Sequence, residues 1–300
     1  MKHRCYPAPH PQARATLARA PFADRVPAQA YFVASATFHY LGPACAALLF
    51  RLVDPLGVAW LRIATAAVVF ACWRKPWRCL LSATATDRWV MAGLGVSLAL
   101  MNVCFYLAIA RLPLATVGAI EFLGPIALAA VGVRNRRNVI ALILVVTGVY
   151  LLTEVRLSGE PLGYAFAFAN GLLFVLYVML GHRVASVAGG GIDRLAASML
   201  MAFVTVMPLG LRDALPALHR PALLLAGIGV GICSSVIPYV TDQLAMARLP
   251  RASFALMLAL LPATAAIIGF LVLRQIPKPI EVFAIALIVV AIAVHRPQRT

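Results

Sequence analysis

The chain has 300 residues, of which 63% are hydrophobic and 12% charged, with a mean hydropathy of +0.92. A soluble protein dresses its surface with roughly 25% charged residues, so a soluble enzyme, a polar disordered chain and a disulfide scaffold are all excluded, and lipid is the solvent this composition requires. The net charge of +16 invites a nucleic-acid reading, but the basic residues sit in short loops and at the termini, where membrane orientation needs them, and no nucleic-acid partner is expected.

Residues 1–28, with their prolines and Lys/Arg and no apolar core, read as a disordered cytoplasmic tail and not as a cleaved signal peptide. A helix needs about 20 apolar residues to cross a bilayer. Ten segments meet or approach that length, near 29–50, 55–73, 89–110, 112–133, 138–153, 162–182, 194–211, 221–247, 252–273 and 279–294; the fifth and tenth are short. The expected fold class is an all-α membrane protein of ten transmembrane helices. With the N-terminus inside, 18 of the 26 Lys/Arg fall in cytoplasmic pieces and seven in external ones, with Arg62 inside a span. That asymmetry puts both termini in the cytoplasm. Trp60, Trp73, Trp77 and Trp89 fall near proposed span ends, as an aromatic belt does.

Residues 108–132 (AIARLPLATVGAIEFLGPIALAAVG) and 245–269 (AMARLPRASFALMLALLPATAAIIG) match at ten of 25 positions without a gap, at an offset of 137. The shared ARLP block and the Pro125/Pro262 match exceed what apolar composition alone produces. Five spans separate equivalent positions, so the two halves run in opposite orientations. They are a first repeat at 29–153 and a second, inverted repeat at 162–295, joined by an external linker at 154–161 and followed by a cytoplasmic tail at 296–300. Inverted repeats imply alternating access around a site near the midplane.

The stretches AWLRIA (59–64), KPWR (75–78), GVSLxxMNxxFYL (95–107), EFxGP (121–125), IPYxxD (237–242) and RLPxxSF (248–254) resemble the EamA-type transporters of the drug/metabolite transporter superfamily, and within them the threonine/homoserine exporter branch. The resemblance covers about residues 29–295. It implies an exporter of amino acids or similar small polar metabolites in the bacterial inner membrane, driven by proton antiport. Family members carry a glutamate before the second-half proline and a Gly-Glu pair at the end of span nine; here those positions are Leu261, Arg274 and Gln275.

Ionisable groups inside a span are costly unless paired or wet, and mark function by default. Glu121 sits at the centre of span four, Arg62 in span two, His39 in span one, and Asp242 six residues before Arg248. Pro125 and Pro43 remove the helix hydrogen bonds that would satisfy the carbonyls of residues 121 and 39, which suits a wet central cavity. Pro238 and Pro262 are further helix-kinking candidates. Glu121 is the candidate for a substrate amino group, a proton, or each in turn, and Arg62 for a substrate carboxylate. The alternative for both is a structural Glu121–Arg62 pair, and for Asp242, beside a second proton site, a pairing with Arg248. Asn102, Tyr106, Asn170, Tyr177, Tyr239 and Gln243 are candidate cavity liners, or interhelical hydrogen bonds. The glycines at 227, 229 and 231 read as packing.

No cofactor and no metal is expected: the cysteines (5, 45, 72, 79, 104 and 233) lack ligand spacing, and no G-K-[ST] sequence supports ATP drive. An intramembrane enzyme would need a nucleophile with a base, or a carboxylate pair, which the spans do not supply. The expected partners are a small-molecule substrate, protons and the lipid bilayer, and a homodimer is compatible with them. Uptake, efflux of a lipophilic cation, and a non-transporting receptor are the alternative functions.

Overall fold

A computed structural model describes residues 27–121, 123, 136–154, 160–187, 190–249, 254 and 261–294, and all their regular structure is helical. The helices are α1 (Ala28–Leu49), α2 (Pro55–Arg74), a short α3 (Pro76–Ser82), α4 (Ala85–Ile109), α5 (Leu114–Glu121), α6 (Arg136–Glu154), α7 (Pro161–Ala185), α8 (Gly191–Leu218), α9 (Pro221–Gly231), α10 (Ile237–Met246), α11 (Leu261–Leu273) and α12 (Pro279–Val294). A π-helical turn, Ile232–Val236, joins α9 to α10.

Local chemistry sets many of these starts. Proline opens α2, α3, α7 and α9, where its missing N–H is one that the first turn leaves unpaired in any case. Thr84 caps α4: its Oγ1 accepts from Asp87 N at 3.2 Å and donates to Asp87 Oδ2 at 2.9 Å, which starts that helix ahead of the expected span at residue 89.

Six segments among the described residues are long and apolar enough to cross a membrane: Ala30–Leu49, Pro55–Arg74, Ala85–Ile109, Pro161–Ala185, Gly191–Leu218 and Pro221–Met246. They coincide with expected spans one, two, three, six, seven and eight. The expected fifth and tenth spans are the shorter helices α6 and α12. Spans four and nine are described only in part, as α5 and α11. Pro125 and the side chain of Pro262 lie outside the described residues, as do 1–26, 155–159 and 296–300.

Three local expectations change. The KPWR loop holds a helix, α3, entered through Lys75 at a left-handed φ of 50°. Span seven extends from the expected 194–211 to 191–218, with Pro208 and Pro216 both inside it, and is packed against α2: a Cβ on Gly57 of α2 would collide with the Asp213 carbonyl of α8, and one on Gly210 with the Leu56 carbonyl, so these two backbones touch. Trp60 is not an interfacial anchor. It is 8% exposed and packs on Phe203 at 5.8 Å, whereas Trp73, Trp77 and Trp89 are exposed as a belt requires.

Packing is by helix pairs. α2 lies along α8, α4 against α7 and α8, α6 against α12, α1 against α10 and α11, and α5 against α7 and α11, while α9 and the π-turn close on α2. Gly227 and Gly231 make that last approach possible, against Leu61 and Thr65; Gly229 faces open space. Arg74 Nε meets Asp193 Oδ1 at 2.6 Å and Arg194 Nη1 meets Asp87 Oδ1 at 2.8 Å, tying the end of α2 and the start of α4 to the start of α8.

Candidate functional site

All ten candidate ionisable and polar residues are buried, none more than 6% exposed, and they form two clusters. The first is organised by Arg62. A buried guanidinium must have its donors satisfied, and the backbone of α10 supplies the means. Pro238 has no N–H, so it cannot take up the carbonyl of Ser234 in the helix ladder. That carbonyl accepts from Arg62 Nη2 instead. Arg62 Nε donates to Ser235 Oγ at 2.7 Å, and Nη2 also reaches Tyr239 Oη at 3.4 Å. The guanidinium lies 5.4 Å from the Tyr106 ring centroid and 5.9 Å from that of Tyr239, within cation–π range. Asn102 Nδ2 donates to Tyr239 Oη at 3.0 Å. The π-turn thus places one serine hydroxyl, that of Ser235, and the freed Ser234 carbonyl against one cation, the functional use such bulges often have.

Glu121, on α5, is 1% exposed. Tyr40 Oη of α1 donates to its Oε2 at 3.1 Å, and Asn170 Nδ2 of α7 to its Oε1 at 3.0 Å. His39 Nε2 stands 4.0 Å from Oε2. Gly171 makes the α7 approach close, since a Cβ there would sit 3.1 Å from the Ile120 carbonyl. Glu121 and Arg62 line the same cavity without pairing, so the alternative of a structural ion pair is not what forms: each has neutral partners, and the two side chains anchor to different helices.

The cavity is lined by six of the candidates, His39, Arg62, Asn102, Glu121, Asn170 and Tyr239, with Pro43, Met101 and Phe105. It leaves about 10 Å³ open to the centre of a water molecule, room for roughly one. Among the described residues, the wet central cavity expected from the spans is a small polar one of this size. Asn170 Oδ1, Tyr106 Oη and Ser234 Oγ are buried without a hydrogen-bond partner among the described residues.

The second cluster surrounds Asp242 on α10. Ser35 Oγ of α1 donates to Oδ1 at 2.5 Å and Tyr177 Oη of α7 to Oδ2 at 2.9 Å. Asp242 is not the partner of Arg248, which lies over the Tyr31 ring at 5.1 Å. Gln243 is 2% exposed and neither of its amide atoms has a hydrogen-bond partner among the described residues.

Four participating residues escape a reading by charge: Ser35, Tyr40, Ser234 and Ser235. The adjacent serines inside an apolar span were the available signal. The position where the family's glutamate is absent has a local task as well: Gln275 Oε1 accepts from Leu114 N at 3.1 Å, holding the first turn of α5.

Long apolar helices around a buried site with one cation and one carboxylate on a shared cavity define a membrane transporter, and sequence comparison agrees. The EamA-like transporter family model matches residues 161–295. The chain belongs to this family. It is 32% identical to the threonine/homoserine exporter RhtA of Escherichia coli (strain K12) over 253 residues, 83% of this chain and 84% of the relative, and likewise 32% identical to RhtA of Salmonella typhimurium (strain LT2). A crystal structure at 19% identity covers 89% of this chain and 96% of its own with a TM-score of 0.57, a likeness of fold.

Proposed function

We propose that the protein exports small amino acids of the threonine/homoserine type across the bacterial inner membrane by proton-coupled alternating access. The observation that carries this reading is the shared cavity. Glu121 offers a carboxylate for the α-ammonium, joined by the unpartnered Asn170 Oδ1. Arg62, whose Nε and Nη2 are engaged, offers its Nη1, and Tyr239 its hydroxyl proton, to the α-carboxylate in the same cavity. A zwitterion supplies the complementary charges to groups that line one cavity without pairing. Its ammonium and a proton compete for Glu121, which couples their opposed movements. The relatives' names as exporters support the direction and the cargo.

The ten-helix architecture with two inverted repeats, 29–153 and 162–295, belongs to the same proposal. Its support is the packing. Exchanging each helix of the first half with its counterpart in the second turns the α4–α7 contact into the α10–α1 contact, and the α5–α7 contact into the α11–α1 contact, while α2–α8, α5–α11 and α6–α12 map onto themselves. A cavity between halves related in this way opens to one side and then the other as they rock. Both termini are then cytoplasmic.

The test is a purified, reconstituted protein. The reading expects thermal stabilisation by L-threonine and L-homoserine but not by their N-acetyl or methyl-ester derivatives, and L-threonine flux that responds to an imposed pH gradient. Equal stabilisation by derivatives lacking either charge, or flux indifferent to the gradient, would overturn it.

A further inference from the structure

We infer that Asp242 is a proton-binding site in its own right, separate from the Glu121–Arg62 cavity, so that proton and amino acid can occupy different carboxylates at the same time. This rests on the reading of that cavity as the substrate site, and adds a second proton position to it.

Asp242 does not line the cavity. Its two oxygens are held by hydroxyls from two other helices, Ser35 on α1 and Tyr177 on α7. Ser35 Oγ also has a second acceptor within reach, Pro238 O at 3.4 Å. A hydroxyl carries one proton and two lone pairs. With Asp242 ionised, Ser35 donates to Oδ1. With Asp242 protonated, the acid's O–H donates to Ser35 Oγ and Ser35 turns its own proton to the Pro238 carbonyl. One proton is gained and no heavy atom has to move. Neither state leaves a buried polar atom unpaired, so neither carries the cost of an unmade hydrogen bond.

The surroundings suit a site that must cycle. No cation lies within ion-pair distance of Asp242 among the described residues, so none pins it in the ionised form. The titratable and charged groups on the elements packed around it are Tyr164, Tyr177, His182 and Arg183 on α7, Tyr31, His39, Tyr40 and Cys45 on α1, Cys233 in the π-turn and Tyr239 on its own helix; His39 and Tyr40 face Glu121, and Tyr239 Oη takes bonds from Asn102 and Arg62. On α8, Asp193 and Arg194 are engaged with Arg74 and Asp87. The same two helices serve both carboxylates. α1 gives Ser35 to Asp242 and Tyr40 to Glu121, and α7 gives Tyr177 and Asn170. Five residues on α1 and seven on α7 set the two levels apart by roughly 7–11 Å at 1.5 Å per residue. A shift of α1 against α7 therefore changes both sites together, which is a means of coupling without a shared atom.

The test uses full-length protein in proteoliposomes with radiolabelled L-threonine. Two readouts are compared: exchange at equal pH on both sides, which needs substrate binding and rocking only, and accumulation driven by a pH gradient. Asp242→Asn, which keeps the competition at Glu121 but loses the second proton, should accumulate less L-threonine than wild type at the same gradient and retain exchange; Glu121→Gln should lose both. Accumulation at the wild-type level in Asp242→Asn overturns the inference, and so does loss of exchange in a protein that still melts as wild type. Should Asp242→Asn fail to fold, Ser35→Ala decides: the inference expects a displaced pH profile of accumulation, and an unchanged profile refutes it. Wild-type protein that exchanges L-threonine without any response to the gradient would instead sink proton coupling as a whole.

Discussion

Glu121→Gln offers the sharpest measure of the substrate site. Glutamine matches the carboxylate in volume. Its carbonyl can still accept from Asn170 Nδ2, 3.0 Å from Oε1 in the native protein, and its amide can donate to Tyr40 Oη, 3.1 Å from Oε2. The fold should therefore tolerate the change, and removing a charge from a site 1% exposed spares its desolvation. What is lost is the charge-assisted bond to the substrate ammonium, about 1.5–3 kcal/mol, so L-threonine should bind about 10- to 150-fold more weakly. Equilibrium binding of labelled L-threonine to the purified variant, with a melt in the same detergent, reads both quantities. Binding within about threefold of wild type, equivalent to less than 1 kcal/mol, in a variant of unchanged melting temperature, would refute the assignment of Glu121 to the ammonium.

Three further outcomes follow from the packing and the charges. A Cβ on Gly42 would lie 2.8 Å from the Ser234 Cα and N, so Gly42→Ala should destabilise the protein by about 1–3 kcal/mol; an unchanged melt would show that α1 does not press on the π-turn. Ser235→Ala removes the acceptor of Arg62 Nε and should cost about 1–3 kcal/mol, whereas Ser82→Ala, exposed on α3, should leave the melt unmoved; equal effects would contradict the role of the serine pair. In a background without other cysteines, a membrane-impermeant thiol reagent should label Arg156→Cys in intact cells and Arg78→Cys only in inverted vesicles; the opposite pattern would reverse the orientation of both termini.

Much of this protein is a local property of its chain. Whether a segment enters a bilayer depends on its own transfer free energy and its own backbone hydrogen bonds, so the long apolar helices were readable without knowing their neighbours. The costly residues among them, Arg62, Glu121, His39 and Asp242, stood out for the same reason. Proline was legible in part: the reasoning that freed the carbonyls behind Pro43 and Pro125 applies equally to Pro238, where the acceptor it frees, Ser234 O, holds Arg62.

Partnership was not legible. Opposite charge suggested Glu121 with Arg62 and Asp242 with Arg248, but Glu121 takes Tyr40 and Asn170, Arg62 takes the serine pair 172 and 173 residues away, and Asp242 takes Ser35 at a separation of 207. Several polar groups share each level of the membrane, and which of them meet is decided by how the helices rotate and how closely they approach. Glycines such as Gly42, Gly57 and Gly171 set that approach. The chain by itself determined that it lies in the membrane and which charges it carries there. Only the packed helices decided that these charges remain apart, each held by neutral groups, because a side chain bonds to whatever the neighbouring backbone brings within 3 Å and not to the complementary charge further off.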